Sequence, residues 1–101
     1  MVELDLSYQF LEKLKLLPFV EAIYLYGSRA RGDHRERSDI DLAILCPEAT
    51  RQEWNQVIEI IEEADTLLSI DCVRLDQLGE GNTLLHNIVR DRKALYIREE
   101  I

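Results

Sequence analysis

The sequence predicts a mixed α/β (α+β) domain, a small sheet of about four strands with helices packed on it. Three observations carry that expectation. Short runs rich in aromatic and β-branched residues alternate with longer runs whose apolar residues recur every three to four positions. Proline or glycine stands at most of the junctions between them. The chain has 101 residues, 47% of them hydrophobic, which is enough for one core and leaves little room for a second.

The elements follow in order. From Asp5 to Leu17 the residues Leu4, Tyr8, Leu11, Leu14 and Leu17 keep a helical spacing, and Pro18 stops the run. Phe19 to Tyr26 reads as a strand and ends abruptly at Gly27-Ser28. Ser28 to Arg31 makes one helical turn closed by Gly32, which suits a C-terminal cap, before a polar loop to Ser38. Asp39 to Cys46 is a second strand, ended by Pro47. Thr50 to Leu68 forms a long amphipathic helix, with Trp54, Val57, Ile58, Ile61 and Ala64 on one face. Thr50 and Glu53 have the spacing of a capping box. Ser69 to Leu75 is a third strand, Gly79 and Gly81 mark a turn, Thr83 to Arg90 is a short helix, and Ala94 to Ile97 a last short strand. Nothing repeats and no linker interrupts the chain, so residues 1–101 are expected to form a single domain.

Twenty Asp and Glu against twelve Lys and Arg leave a formal charge of −8. Such a surface repels nucleic acid and anionic membrane, so a general role in binding either is disfavoured. No apolar run approaches the ~20 residues of a membrane span. The first residues are acidic and lack the basic-then-apolar pattern of an export signal, which places the chain in the cytoplasm. Cys46 and Cys72 stand far apart, each in an apolar run, and read as reduced core residues. His34 lies in a charged loop and His86 on a short helix, neither with a partner at metal-ligand spacing. Trp54 is most simply core, and Glu59, Glu62, Glu63 and Asp65 a solvated face.

The chemistry is concentrated in a short stretch. A strand carries residues i and i+2 on one face, so Asp39 and Asp41 project together while Ile40 and Leu42 face the other way. Asp71, between Ile70 and Cys72, is placed in the same manner on the third strand. If the second and third strands are neighbours, three carboxylates converge. Such a cluster repels itself until a hard dication sits among the oxygens, and two ions about 3.5–4 Å apart serve phosphoryl chemistry. Gly27, following a strand and opening a helical turn, aims backbone N–H groups at an anion, and the Ser28 hydroxyl adds a donor. Arg29 and Arg31 follow directly and could neutralise a triphosphate. Either motif alone is common in simple turns and solvent-facing strands. Their combination, Gly-Ser, ten residues, then Asp-hydrophobic-Asp, with a later Asp centred in a third strand, is far rarer. No Walker A loop and no serine-hydrolase elbow is present.

The stretch from Gly27 to Ile44 resembles the signature of the DNA polymerase beta-like nucleotidyltransferase superfamily, and is most similar to its minimal nucleotidyltransferase (MNT) branch. Tyr26-Gly27-Ser28 and Asp39-Ile40-Asp41-Leu42 fill each place of that signature. The resemblance implies that fold, a triphosphate held by Gly27 and Ser28, and two Mg²⁺ ions on Asp39, Asp41 and Asp71. It further implies ATP as co-substrate, Asp71 helping to deprotonate the acceptor hydroxyl, and Arg29 and Arg31 on the nucleotide side. Many members of the branch act as antitoxins beside a small helical HEPN ribonuclease toxin. Their proposed chemistry is transfer of AMP to a toxin tyrosine. A chain this short lacks surface for a large acceptor, so a partner in a homo- or hetero-oligomer is expected to supply it. Two other readings stand beside this one: an antitoxin that only occludes its partner, and a small-molecule transferase like the aminoglycoside-modifying relatives.

Overall fold

The structure, a computed structural model, describes residues 8–99. Four strands, β1 (Ala22–Tyr26), β2 (Ile40–Leu45), β3 (Ile70–Arg74) and β4 (Lys93–Ile97), make one sheet in the order β3-β2-β1-β4. β1 runs antiparallel to β2 and to β4, whereas β2 and β3 are parallel. A parallel pair needs a crossover, and α3 (Arg51–Glu62) supplies it. Three further helices complete the fold: α1 (Gln9–Leu16), α2 (Ser28–Arg31) and α4 (Thr83–Asp91). The expected mixed sheet of four strands is therefore the one observed. Its edges are β3 and β4.

Alternation along the strands gives the sheet two differently dressed faces. Ile23 and Leu25 of β1 and Ile40, Leu42 and Ile44 of β2 pack with Phe10, Leu11 and Leu14 of α1 and Val57 of α3. Side chains so fully removed from water contribute about 1.5–3 kcal/mol each, which makes this the main core. On the opposite face Tyr26 and Ala43 pack with Leu75 and Ile88, flanked by Val73, Leu84 and Leu85. This smaller cluster covers only part of its face and leaves the end beside Gly27 open to chemistry.

Several boundaries differ from the sequence expectation. The first helix is described from Gln9; its expected residues Asp5 to Ser7 lie outside the described residues. β1 starts at Ala22, since Pro18 and Phe19 make a turn closed by the Val20 N–H on the Leu17 carbonyl (3.1 Å). Val20 is fully buried all the same, so its apolar character reports packing rather than strand. α3 does open with the capping box: the Glu53 N–H donates to Thr50 Oγ1 and the Thr50 N–H to Glu53 Oε1 (3.1 and 2.9 Å). It ends at Glu62, six residues short of Leu68. Thr66 turns its hydroxyl onto the Leu68 N–H (3.1 Å), a local bond that competes with helix. Asp65, expected on a solvated face, accepts from the backbone N–H groups of Gln9 and Phe10 (3.0 and 3.2 Å). It thus caps α1, whose own N-cap residue Tyr8 makes no such bond. Leu75–Gln77 forms a 3-10 turn where the third strand was expected to end.

Both thiols are free, and burial pushes them up, Cys46 to about 11 and Cys72 to about 12. They are inert structural residues at neutral pH. Among the described residues no helix is long and apolar enough to cross a membrane.

Candidate active site

Gly27 ends β1 with φ 74° and ψ −155°, a conformation that L side chains rarely adopt. A Cβ there would also collide with a carboxylate oxygen of Asp41 and stand 3.2 Å from its Cγ. Backbone and space both require glycine. Its carbonyl accepts from the N–H groups of Ala30 and Arg31 (3.1 and 3.0 Å), which starts α2. Helix geometry leaves the preceding N–H groups, those of Ser28 and Arg29, without an intrahelical acceptor. Gly32 closes the turn in the left-handed region, its N–H on the Ser28 carbonyl (2.9 Å).

The register sets three side chains in a row. Tyr26 lies opposite Asp41 across β1 and β2, and Asp41 lies level with Asp71 across β2 and β3. Paired positions share a face, so the two carboxylates flank one another at the end of the sheet next to Gly27. Asp39 stands one residue ahead of β2, on the same alternation as Asp41. Burial raises the Asp41 pKa above its usual value, and the charges of Asp71 and then Asp39 raise it further; Arg31 and Arg29 offset part of this. The same burial, aided by Asp41 and Asp71, pushes Tyr26 up to about 12, so its phenol stays protonated. Strand pairing was only an inference from sequence. It brings Asp39, Asp41 and Asp71 into one electrostatic cluster behind Gly27.

The two arginines take different positions. Arg31 is half-exposed, with Nε on Asp33 (3.1 Å) and Nη1 on Asp91 at the end of α4 (2.9 Å). Arg90, and then Arg31, holds the Asp91 carboxyl down at about 2. Arg29 is only 7% exposed. It donates from Nε and Nη2 to the Ser38 carbonyl (3.1 and 3.0 Å) and from Nη2 to the Glu36 carbonyl (3.2 Å). Expected on the nucleotide, Arg29 instead fastens the loop that delivers Asp39. A helix of one turn has no periodicity from which to read that inward face.

Among the described residues no three His, Cys, Asp or Glu side chains stand close enough together to enclose a metal ion by themselves. Mg²⁺ does not need such a cage, because it takes one or two carboxylates and completes its octahedron with water and phosphate oxygens. A carboxylate pressed against a glycine, half-desolvated and repelled by two others, is a donor set suited to a hard dication. The residues fit the ion.

Sequence reasoning missed the place of Tyr26 in the row, which only the register reveals. It also gave no sign of two hollows. One, of about 490 Å³, is lined by Glu80, Asn82, Leu85, His86 and Val89 at the start of and along α4 and includes none of Asp39, Asp41 and Asp71. The other lies where β2 and β3 begin, lined by Glu36, Arg37, Leu67, Leu68 and Ser69.

Comparison with known proteins speaks to the family and the fold. The family model described as polymerase beta, nucleotidyltransferase, matches residues 9–101. A Methanocaldococcus jannaschii protein named as a candidate protein adenylyltransferase, MJ1379, is 35% identical over 51 residues, 50% of this chain and 51% of that protein. The match thus spans about half the length of that relative. A toxin-antitoxin complex with AMP-PNP superposes with a TM-score of 0.63 at 22% identity, covering 95% of this chain and 76% of that one. The complex of a tri-AMPylated Shewanella oneidensis HEPN toxin with its MNT antitoxin gives 0.57 at 22% identity, over 89% of this chain and 66% of that one. At such identities the superpositions speak for the fold.

Proposed function

This chain belongs to the polymerase beta nucleotidyltransferase family, and from that premise we propose that it moves AMP from ATP to a tyrosine hydroxyl of a HEPN-type partner protein, as an antitoxin. One observation carries the reading: Asp41 is level with Asp71 on one sheet face and is backed by a glycine that no other residue can replace.

In the transfer the acceptor oxygen attacks the α-phosphorus and a new P–O bond forms. The bond from that phosphorus to the bridging oxygen breaks, and pyrophosphate leaves with the electron pair. The hydroxyl proton passes to the Asp71 carboxylate, which is exposed at the sheet edge and open to an incoming acceptor. Gly27 lets the phosphates approach the backbone, and Ser28 and the free N–H groups of α2 hydrogen-bond them. Arg31, within reach of the carboxylates' field, balances charge on the nucleotide. Arg29 positions Asp39 by holding the carbonyl just before it. Mg²⁺ held by Asp39 and Asp41, with Asp71 nearby, would polarise the phosphates and offset their charge. The relative named as a protein adenylyltransferase and the AMPylated toxin complex support a protein acceptor. An ATP-using chain of this kind works in the cytoplasm, with the partner completing the acceptor side.

The test is transfer of α-labelled ATP, with Mg²⁺, to a co-expressed HEPN-type protein. Asp39→Ala and Asp41→Ala are each expected to cut labelling of the partner tyrosine by at least about 100-fold while the circular dichroism spectrum is retained. Wild-type rates in both variants would refute the assignment. Suppression of toxicity by the double variant would show that occlusion alone suffices.

A further inference from the structure

We infer that the hollow between loop residues 36–37 and 67–69 is the acceptor subsite, which takes an extended peptide segment with an apolar and an acidic residue beside the modified hydroxyl. The inference rests on the transferase reading above. Displacement at phosphorus runs in line, so the attacking oxygen enters opposite the departing pyrophosphate. Gly27 and Ser28 hold the phosphates on the β1 side of the carboxylates, so the acceptor enters from the β3 side. There the sheet ends, and among the described residues no further strand blocks the approach.

The hollow, about 400 Å³, lies at that entrance and falls within the ~300–1,000 Å³ of ordinary ligand sites. Its lining is continuous with the carboxylates. Arg37 is two residues before Asp39. The Ser69 carbonyl accepts from the Ile40 N–H (2.9 Å), which sets it beside Asp39. Asp71 follows two residues on, the spacing that returns a strand to the same face.

Its chemistry names the occupant. Leu67 is fully exposed, a large apolar side chain beside the reacting end of a chain with net charge −8. Arg37 is exposed and makes no ion pair with any described residue. Arg29 is buried and Arg31 is paired with Asp33 and Asp91, so the free positive charge of this rim is that of Arg35 and Arg37, with Glu36 between them. A peptide that sets an aliphatic side chain on Leu67 and a carboxylate on Arg37 satisfies both.

The test uses short synthetic peptides with a tyrosine flanked by leucine and glutamate, or by leucine and lysine. With the wild-type chain, ATP and Mg²⁺, the glutamate peptide is expected to have the lower KM. Arg37→Glu should reverse that preference, and Leu67→Glu should raise KM for both peptides about tenfold, each with the KM for ATP unchanged. Peptide KM values that ignore both substitutions, or an ATP KM that rises in parallel, would overturn the subsite. If the wild-type chain labels neither peptide yet labels a folded partner, the extended-peptide occupant is wrong and the transferase reading survives. Labelling of nothing would remove both.

Discussion

At the end of β1 a hydrogen atom is the one side chain that leaves room for the Asp41 carboxylate, and that carboxylate is crowded from the other side by Asp71 and Asp39. Such crowding lowers the stability of the fold, and pH reads out how. The folded pKa of Asp41 lies above its ordinary 3.8, so the folded state keeps a proton over a window in which the unfolded chain has lost it. Stability therefore falls as pH rises from about 3.8 through the folded value, and stays lower above it. Asp41→Asn removes the loss. The nucleotide-free variant is expected to melt above the wild type at pH 7, with the difference closing as pH drops below about 3.8. An equal difference at both ends of a thermal-melt series would count against the crowding. Gly27, Ser28, Asp39 and Asp41 were legible as candidates because their spacing is local. Arg29 was not, since burial of a charged side chain against two loop carbonyls is set by the fold of the loop rather than by any pattern of residue types.

Among the elements, type was easier to read than extent. Helix and strand periods, Pro18, Pro47 and the Thr50–Glu53 box identified eight segments in the order observed. The ends of α3 and β1 were misjudged where local bonds compete with the period: Thr66 accepts from the Leu68 N–H and the Leu17 carbonyl from the Val20 N–H. Asp65 closes α1 from the far side of α3, and Val20 is apolar because it is buried in a turn. The two caps make a paired prediction. Thr50→Ala removes a cap visible in sequence and Asp65→Ala one visible only in the fold. Asp65→Ala is expected to lower Tm, and Thr50→Ala to cost about 0.5–2 kcal/mol. For a domain of this size that lowers Tm by about 4–8 °C per kcal/mol, measurable by calorimetry. A Tm unmoved by Asp65→Ala would mean that its two bonds to α1 are replaced by water at no cost.

For the whole molecule, alternation told which residues share a face but not which strands adjoin. The order β3-β2-β1-β4 places both site-bearing strands and Gly27 side by side, and pairing partners so far apart in sequence leave no local trace. A radius of gyration of 13.1 Å matches the ~13 Å of a compact domain of 100 residues. We propose that the chain unfolds as one unit. Calorimetry should show a single transition with an enthalpy of about 60–80 kcal/mol at Tm, equal to the van't Hoff value. Two resolved transitions would split the small α4 cluster from the main core as a separate unit.

The Asp65 cap also ties the fold to the order in which the chain is made. Gln9 leaves the ribosome 56 residues ahead of the carboxylate that closes its helix. At about 5–20 residues per second the first helix waits about 3–11 s for its cap, longer than a helix takes to form and melt many times over. During that interval β1, Gly27 and β2 have already emerged, and as a lone antiparallel pair they are marginal until the helix beneath them is secured. Asp71 arrives six residues after the cap. Completion of the carboxylate row and fastening of the first helix are thus nearly simultaneous, and a nascent chain stalled short of that point carries neither.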